Sequence, residues 1–146
     1  MPRVFALVGA LVAAAVLAAS AGADAVYHTA QVPLLPVGGA PGGGMVLNIH
    51  ADGPTVYAHE IYLLKGATPG SYQVTIHIDP ANLDCSSPAV VLPTAMLQTN
   101  SVGNGKADVK FTPADADGLR GLTVSAYWTV DGPASYATEC SVITLD

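Results

Sequence analysis

The chain reads as an all-β protein, a Greek-key sandwich of about 7–8 strands. Three observations predict this class. Turn-forming residues recur about every 8–12 positions from Met45 to the C-terminus. Ser71–Asp79 alternates strictly, with Tyr72, Val74, Ile76 and Ile78 on one face and Gln73, Thr75, His77 and Asp79 on the other. No stretch beyond the N-terminal apolar run carries the apolar period of an amphipathic helix.

Taken in order, residues 26–32 read as a short first strand. Residues 33–44 (PLLPVGGAPGGG) read as a Pro/Gly-rich flexible connector. The domain proper is read over 45–146, beginning with a strand at 45–50 that Asp52-Gly53-Pro54 ends. Residues 55–65 form a strand of aromatic and β-branched character. Both of its faces are mixed: Tyr57, His59, Ile61 and Leu63 share one, Val56, Ala58, Glu60, Tyr62 and Leu64 the other. Residues 66–70 make a corner before Ser71–Asp79, and 80–88 form a loop carrying Cys85. In the strand at 90–99, Pro93 predicts a sheet edge or a bulge. Ser101-Val102-Gly103-Asn104-Gly105 is a hairpin loop in which Asn-Gly would supply positive φ. Residues 106–111 follow. Thr112-Pro113-Ala114-Asp115 is a helix-start signal, limited by Gly118 and Gly121 to a turn or two. Two strands, 122–130 and 136–145, close the chain around Asp131-Gly132-Pro133. In the first, Val124, Ala126, Trp128 and Val130 share a face. A hairpin centred on Pro133 would set Ala126 opposite Cys140, with Trp128 its diagonal neighbour.

The N-terminus fixes the compartment. Arg3 is followed by an uncharged apolar run over 4–19, and residues 20–25 (SAGADA) offer small-x-small sites. This is the layout of a secretory signal peptide over 1–25. It is rich in alanine and glycine and suits a bacterial exported protein. Cleavage leaves a mature chain of roughly 120 residues, one domain, with no second span-length apolar run. A secreted, extracellular location follows. The chain has two cysteines, and in an exported protein Cys85 and Cys140 read as a disulfide.

Net charge is −6, from 5 cationic and 11 acidic residues. Nucleic acid would need a basic stripe, and none exists. Attraction to anionic lipid is disfavoured on the same ground.

Leu64-Lys65-Gly66-Ala67-Thr68-Pro69-Gly70-Ser71-Tyr72-Gln73-Val74-Thr75-Ile76 resembles the L-x-G-x-x-P-G-x-Y-x-V-x-I corner of fibronectin type III and other immunoglobulin-like domains. The resemblance implies an immunoglobulin-like sandwich with Tyr72 as a tyrosine corner, its hydroxyl bonded to the preceding backbone. Ile76-His77-Ile78, with Leu97-Gln98-Thr99-Asn100 and Gly103-Asn104-Gly105, is also similar to exported CHRD-type domains, whose architecture is like that of Cu/Zn superoxide dismutase. The dismutase pattern needs a His-x-His pair, which this chain lacks.

The histidines are His28, His50, His59 and His77. His59, His77 and Asp79 are the candidate metal ligands, with Glu60 a further carboxylate. His77 and Asp79 lie on one strand face about 7 Å apart. Three strands would have to aim histidines at one level to hold an ion, and exposed strand-face polar residues explain the same positions. The expectation is therefore no tightly bound metal and no cofactor. Gly-x-Ser-x-Gly is absent, and His59 and Glu60, as strand neighbours, point to opposite faces, so no catalytic residue is assigned. Tyr57, Tyr62, Tyr127 and Tyr136 could form an aromatic strip or be ordinary half-buried strand tyrosines. The leading expectation is a secreted, non-catalytic binding or adhesion module with an extracellular protein or surface ligand. The alternatives are a metal-binding, dismutase-like domain and a secreted protease inhibitor presenting its disulfide-stapled loop.

Overall fold

A computed structural model describes residues 27–51, 58–112, 118 and 121–145. The segment read as a leader over 1–25, Asp52-Gly53-Pro54 read as a strand end, Tyr57 and the residues after Thr112 read as a helix start lie outside the described residues. Those described form nine strands and no α-helix: β1 Tyr27–Val37, β2 Gly43–Ala51, β3 Ala58–Lys65, β4 Ser71–Asp79, β5 Val90–Gln98, β6 Gly105–Phe111, β7 Leu122–Asp131, β8 Ser135–Ala137 and β9 Ser141–Leu145. Every pairing is antiparallel. The order is β5-β4-β7-β8-β1-β2-β3-β6, with β9 alongside β7. The two ends of this path meet at a Thr99–Gly105 bridge, so the sheet is nearly closed. β1 joins its two halves: its first part pairs with β2, and Leu35–Val37 pairs with β8.

The alternation in β4 survives as predicted, with Tyr72, Val74, Ile76 and Ile78 all buried. Across from them Val124, Ala126, Trp128 and Val130 of β7 are buried too. Leu34, Val46, Tyr62 and Leu64 complete the core from the other half. The Tyr72 hydroxyl donates to the Thr68 carbonyl at 2.5 Å, the geometry expected of a tyrosine corner.

Three local expectations are corrected. The first strand does not end at residue 32 but runs to Val37, and β2 begins at Gly43, which leaves only 38–42 as the connection. Each half of β1 pairs along one edge only, so Pro33 and Pro36 can turn their missing donors to the unpaired edge. In the hairpin after β5 the positive φ belongs to Gly103 (76°) rather than to Asn104-Gly105. A Cβ on Gly103 would sit 1.9 Å from the Ala67 carbonyl oxygen, so glycine is required there twice over. The last strand is two strands. β7 pairs Val130 with Tyr136, yet Ala126 with Ser141, a slip of one residue. Ala126 therefore faces Ser141, not Cys140. Thr138 fills the break: its N–H donates to the Trp128 carbonyl and its hydroxyl accepts from the Trp128 N–H, both at 3.0 Å.

Pro93 marks both an edge and an irregularity. β5 ends the strand path, and its register with β4 jumps from Val74–Ala95 to Thr75–Pro93. Thr94 drops out of step, and its hydroxyl lies 2.8 Å from that of Tyr62.

Candidate functional site

Glu60 occupies the middle of the core. The mixed strand β3 has to turn one face inward, and it turns the one bearing Glu60, Tyr62 and Leu64. Glu60 is 1% exposed. Its Oε1 accepts from Asn48 Nδ2 at 2.7 Å, the residue directly opposite on β2. Its Oε2 accepts from Trp128 Nε1 at 2.9 Å and from the Tyr62 hydroxyl. Burial pushes the Glu60 carboxyl up from its ordinary value; the Tyr62, Trp128 and Asn48 donors oppose the shift without cancelling it. The Tyr62 hydroxyl is pushed up as well, by burial and then by the Glu60 charge. The cluster joins β2, β3 and β7, with Thr94 of β5 touching its rim. Closed off from solvent, it is built to hold strands together.

A second polar cluster lies at the end of β4. Asp79, 1% exposed, closes that strand and organises the loop that follows. Its carboxylate accepts from the backbone N–H groups of Ala81 (3.0 Å), Asn82 (2.9 Å) and Ser87 (2.9 Å). Burial alone would raise the Asp79 carboxyl, but the Asn82, Ser87 and Ala81 donors outweigh it and hold the group below its ordinary range. Ser125 of β7, fully buried, ties the loop from below. It accepts from the Cys85 N–H at 3.0 Å and donates to the Asn82 carbonyl at 2.7 Å. A Cys85–Cys140 disulfide provides the third tie, across 55 positions of sequence. Cys85 is held at φ 58°, a left-handed turn conformation rare outside glycine.

On this tied frame sit apolar side chains that face water. Leu83 at the loop tip is 55% exposed and Val91 is 56% exposed, with Val90 and Leu92 also open. Val90 and Leu92 have the inward parity of β5, yet they lie past the reach of the core.

The predicted metal ligands are dispersed. His59 Nε2 lies 3.3 Å from Asp108 Oδ2 on β6. His77 stacks flat on Tyr127, with centroids 4.3 Å apart, and lies 3.2 Å from the Thr129 hydroxyl. Burial lowers its pKa against the pull of Asp131. Asp79 spends its oxygens on the loop. His28 and His50 are register partners in the β1–β2 ladder. Among the described residues no three His, Cys, Asp or Glu side chains are grouped to hold a metal ion. The aromatic strip is likewise divided: Tyr62 and Tyr136 are core, while Tyr127 lies outward on His77.

Two contributors were hidden in the sequence. Glu60 shares parity with Tyr62 and Leu64, a signal that it could be inward. Ser125 carries none, because only the loop folded over β7 gives it a role. Comparison with protein-family models, curated proteins and solved structures finds no match to this chain.

Proposed function

We propose that this chain is a secreted, non-catalytic binding module, a Greek-key β-sandwich of immunoglobulin-like type, that contacts an extracellular protein through loop 80–88 and the start of β5. The strand order supports the Greek-key reading: β7 returns past β5 and β6 to lie beside β4. The leader-like N-terminus and the disulfide support export.

One observation carries the function. A loop whose tip is apolar and exposed is held by a disulfide, a buried carboxylate and a buried hydroxyl. Burying Leu83 or Val91 under a partner is worth about 1.5–3 kcal/mol each. Holding the loop in one shape before contact removes the ordering penalty that usually consumes such a gain. The same rigidity supports a second reading, a protease inhibitor that presents this loop. The dispersed positions of His59, His77 and Asp79 favour neither the dismutase-like reading nor any other metal site.

The test is a quantitative one. The purified chain is used to capture a partner from the extracellular proteins of its source, and that partner is then titrated against wild type, Leu83→Asp/Val91→Asp and the reduced chain. The expected result is a loss of about tenfold or more in affinity for both altered forms. A partner whose affinity ignores both changes refutes the loop site. Stoichiometric inhibition of a protease, abolished on reduction, selects the inhibitor reading instead.

A further inference from the structure

The β1–β2–β3–β6 half presents a second surface, which shares no residue with the loop site. Inward parity belongs to Val46, Asn48, Glu60, Tyr62 and Leu64. Outward parity therefore belongs to Met45, Leu47, Ile49, Ile61 and Leu63, all half-buried. The register makes them contiguous: Met45 stands opposite Leu63 and Leu47 opposite Ile61, with Ile49 opposite His59. An antiparallel sheet with one solvated face normally carries polar residues there. Here the outward face carries an aliphatic strip instead, the pattern of a sheet with a further layer packed on it.

The borders of the strip differ. On β6, exposed Lys106, Asp108 and Lys110 stand opposite Leu63, Ile61 and His59. Lys65 continues the outward parity of β3 just past Leu63. All three lysines of the chain thus border this one face, in a molecule of net charge −6. Among the described residues none of the three is in an ion pair, while Asp108 is engaged by His59. The β1 border offers Gln31 and Pro33, without charge. The strip ends in a shallow depression lined in part by Gly43, Gly44, Met45, Leu63, Lys65 and Lys106.

We infer that this face docks an acidic amphipathic helix of a partner protein. The helix lays its apolar side on Leu47, Ile49, Ile61 and Leu63 and its carboxylates along β6. Lys106 and Lys110 are about 13 Å apart along the strand. Carboxylates two helical turns apart, about 11 Å, fit that spacing. A one-sided charged border suits a linear segment. A bilayer would draw on cations all round the strip, and the β1 border has none. A second copy would bring its own lysines against these.

The test uses the full chain and a fluorescein-labelled helical peptide of about 18 residues, leucine on one face and glutamate on the other. Glutamine-faced and lysine-faced peptides are the controls. The glutamate peptide is expected to bind about tenfold or more tighter than the glutamine peptide, the advantage shrinking in high salt. Lys106→Gln/Lys110→Gln should remove that advantage. Leu47→Gln should weaken binding of all peptides about tenfold, with Ile61→Gln as a second probe if the first lowers the urea midpoint. Amide shifts should map to β2 and β3, and Leu83→Asp should bind like wild type, which separates this surface from the loop. No binding, or equal binding of the glutamate and glutamine peptides, overturns the inference. So does binding to phosphatidylglycerol vesicles that Leu47→Gln abolishes, which assigns the face to a membrane. A sedimenting dimer that Leu47→Gln dissolves assigns it to self-association and overturns it equally.

Discussion

Glu60 and Asp79 are equally shut off from solvent contact, but Glu60 lies deep in the core and Asp79 near the margin of the fold, and their surroundings push them in opposite directions. Glu60 is met by side chains from three strands, each bringing one donor. Asp79 is met mainly by backbone N–H groups of the loop that follows it. Burial disfavours the charge at both sites. Only at Asp79 do enough aligned backbone donors converge to reverse the sign. The difference teaches that depth and donors act together: deep in the core the cost of burial dominates at Glu60, while nearer the margin of the fold the loop's donors dominate at Asp79. It also separates two jobs. Around Glu60, donors from β2, β3 and β7 meet on one carboxyl and tie the core together. An ionised Asp79 acts as a fixed anchor for a loop.

The largest expected effect comes from emptying the core site. Glu60→Ala leaves the Trp128 N–H and the Asn48 amide without the acceptor they now share, and opens a cavity. A loss of about 3–5 kcal/mol is expected in urea unfolding. A midpoint within error of wild type would mean that the cluster is not what joins β2, β3 and β7.

Next is the disulfide, which bears on the loop side of the comparison. Closing 55 positions of sequence stabilises by roughly 4 kcal/mol on the chain-entropy model, and Cys140→Ser should cost about 2–4 kcal/mol. Limited proteolysis should then cut first within 80–88, because Asp79 and Ser125 alone hold the loop. Cleavage elsewhere before the loop would show that the frame and the loop are not separable.

The smallest effect, and the one that bears most directly on the two carboxylates, is the pH dependence. Above the unfolded glutamate value of about 4.3, the unfolded chain has released a proton that native Glu60 keeps, so this contribution to stability falls as pH rises toward the native value. Below the unfolded aspartate value of about 3.9, the unfolded chain takes up a proton that native Asp79 refuses, so stability falls as pH falls. Urea midpoints across this range should show Glu60→Gln losing the decline toward neutral pH and Asp79→Asn losing the decline toward acid. Parallel profiles for wild type and Glu60→Gln would place the Glu60 carboxyl at an ordinary value.

The β4 strand was legible to the residue, because period-two alternation is a local property and its apolar set is unmixed. The Tyr72 hydrogen bond and the Cys85–Cys140 pairing were legible for similar reasons: one rests on a short motif, the other on an even cysteine count in a chain read as exported. The metal candidates were readable only as residue types. His59, His77 and Asp79 each found a different neighbour, and no spacing along the chain encodes that.

From the sequence alone come the all-β class, most strand positions, the disulfide and the inward faces of β4 and β7. Local alternation and backbone chemistry determine these before any strand meets another. Tertiary structure decided the rest. Both faces of β3 are mixed, so only the pairing of β3 with β2 and β6 and the arrival of Trp128 from β7 could choose Glu60 for the interior. The one-residue slip between β8 and β9 likewise exists only against β7. A strand's period is its own, but which face it buries and which residue it meets are set by partners distant in sequence.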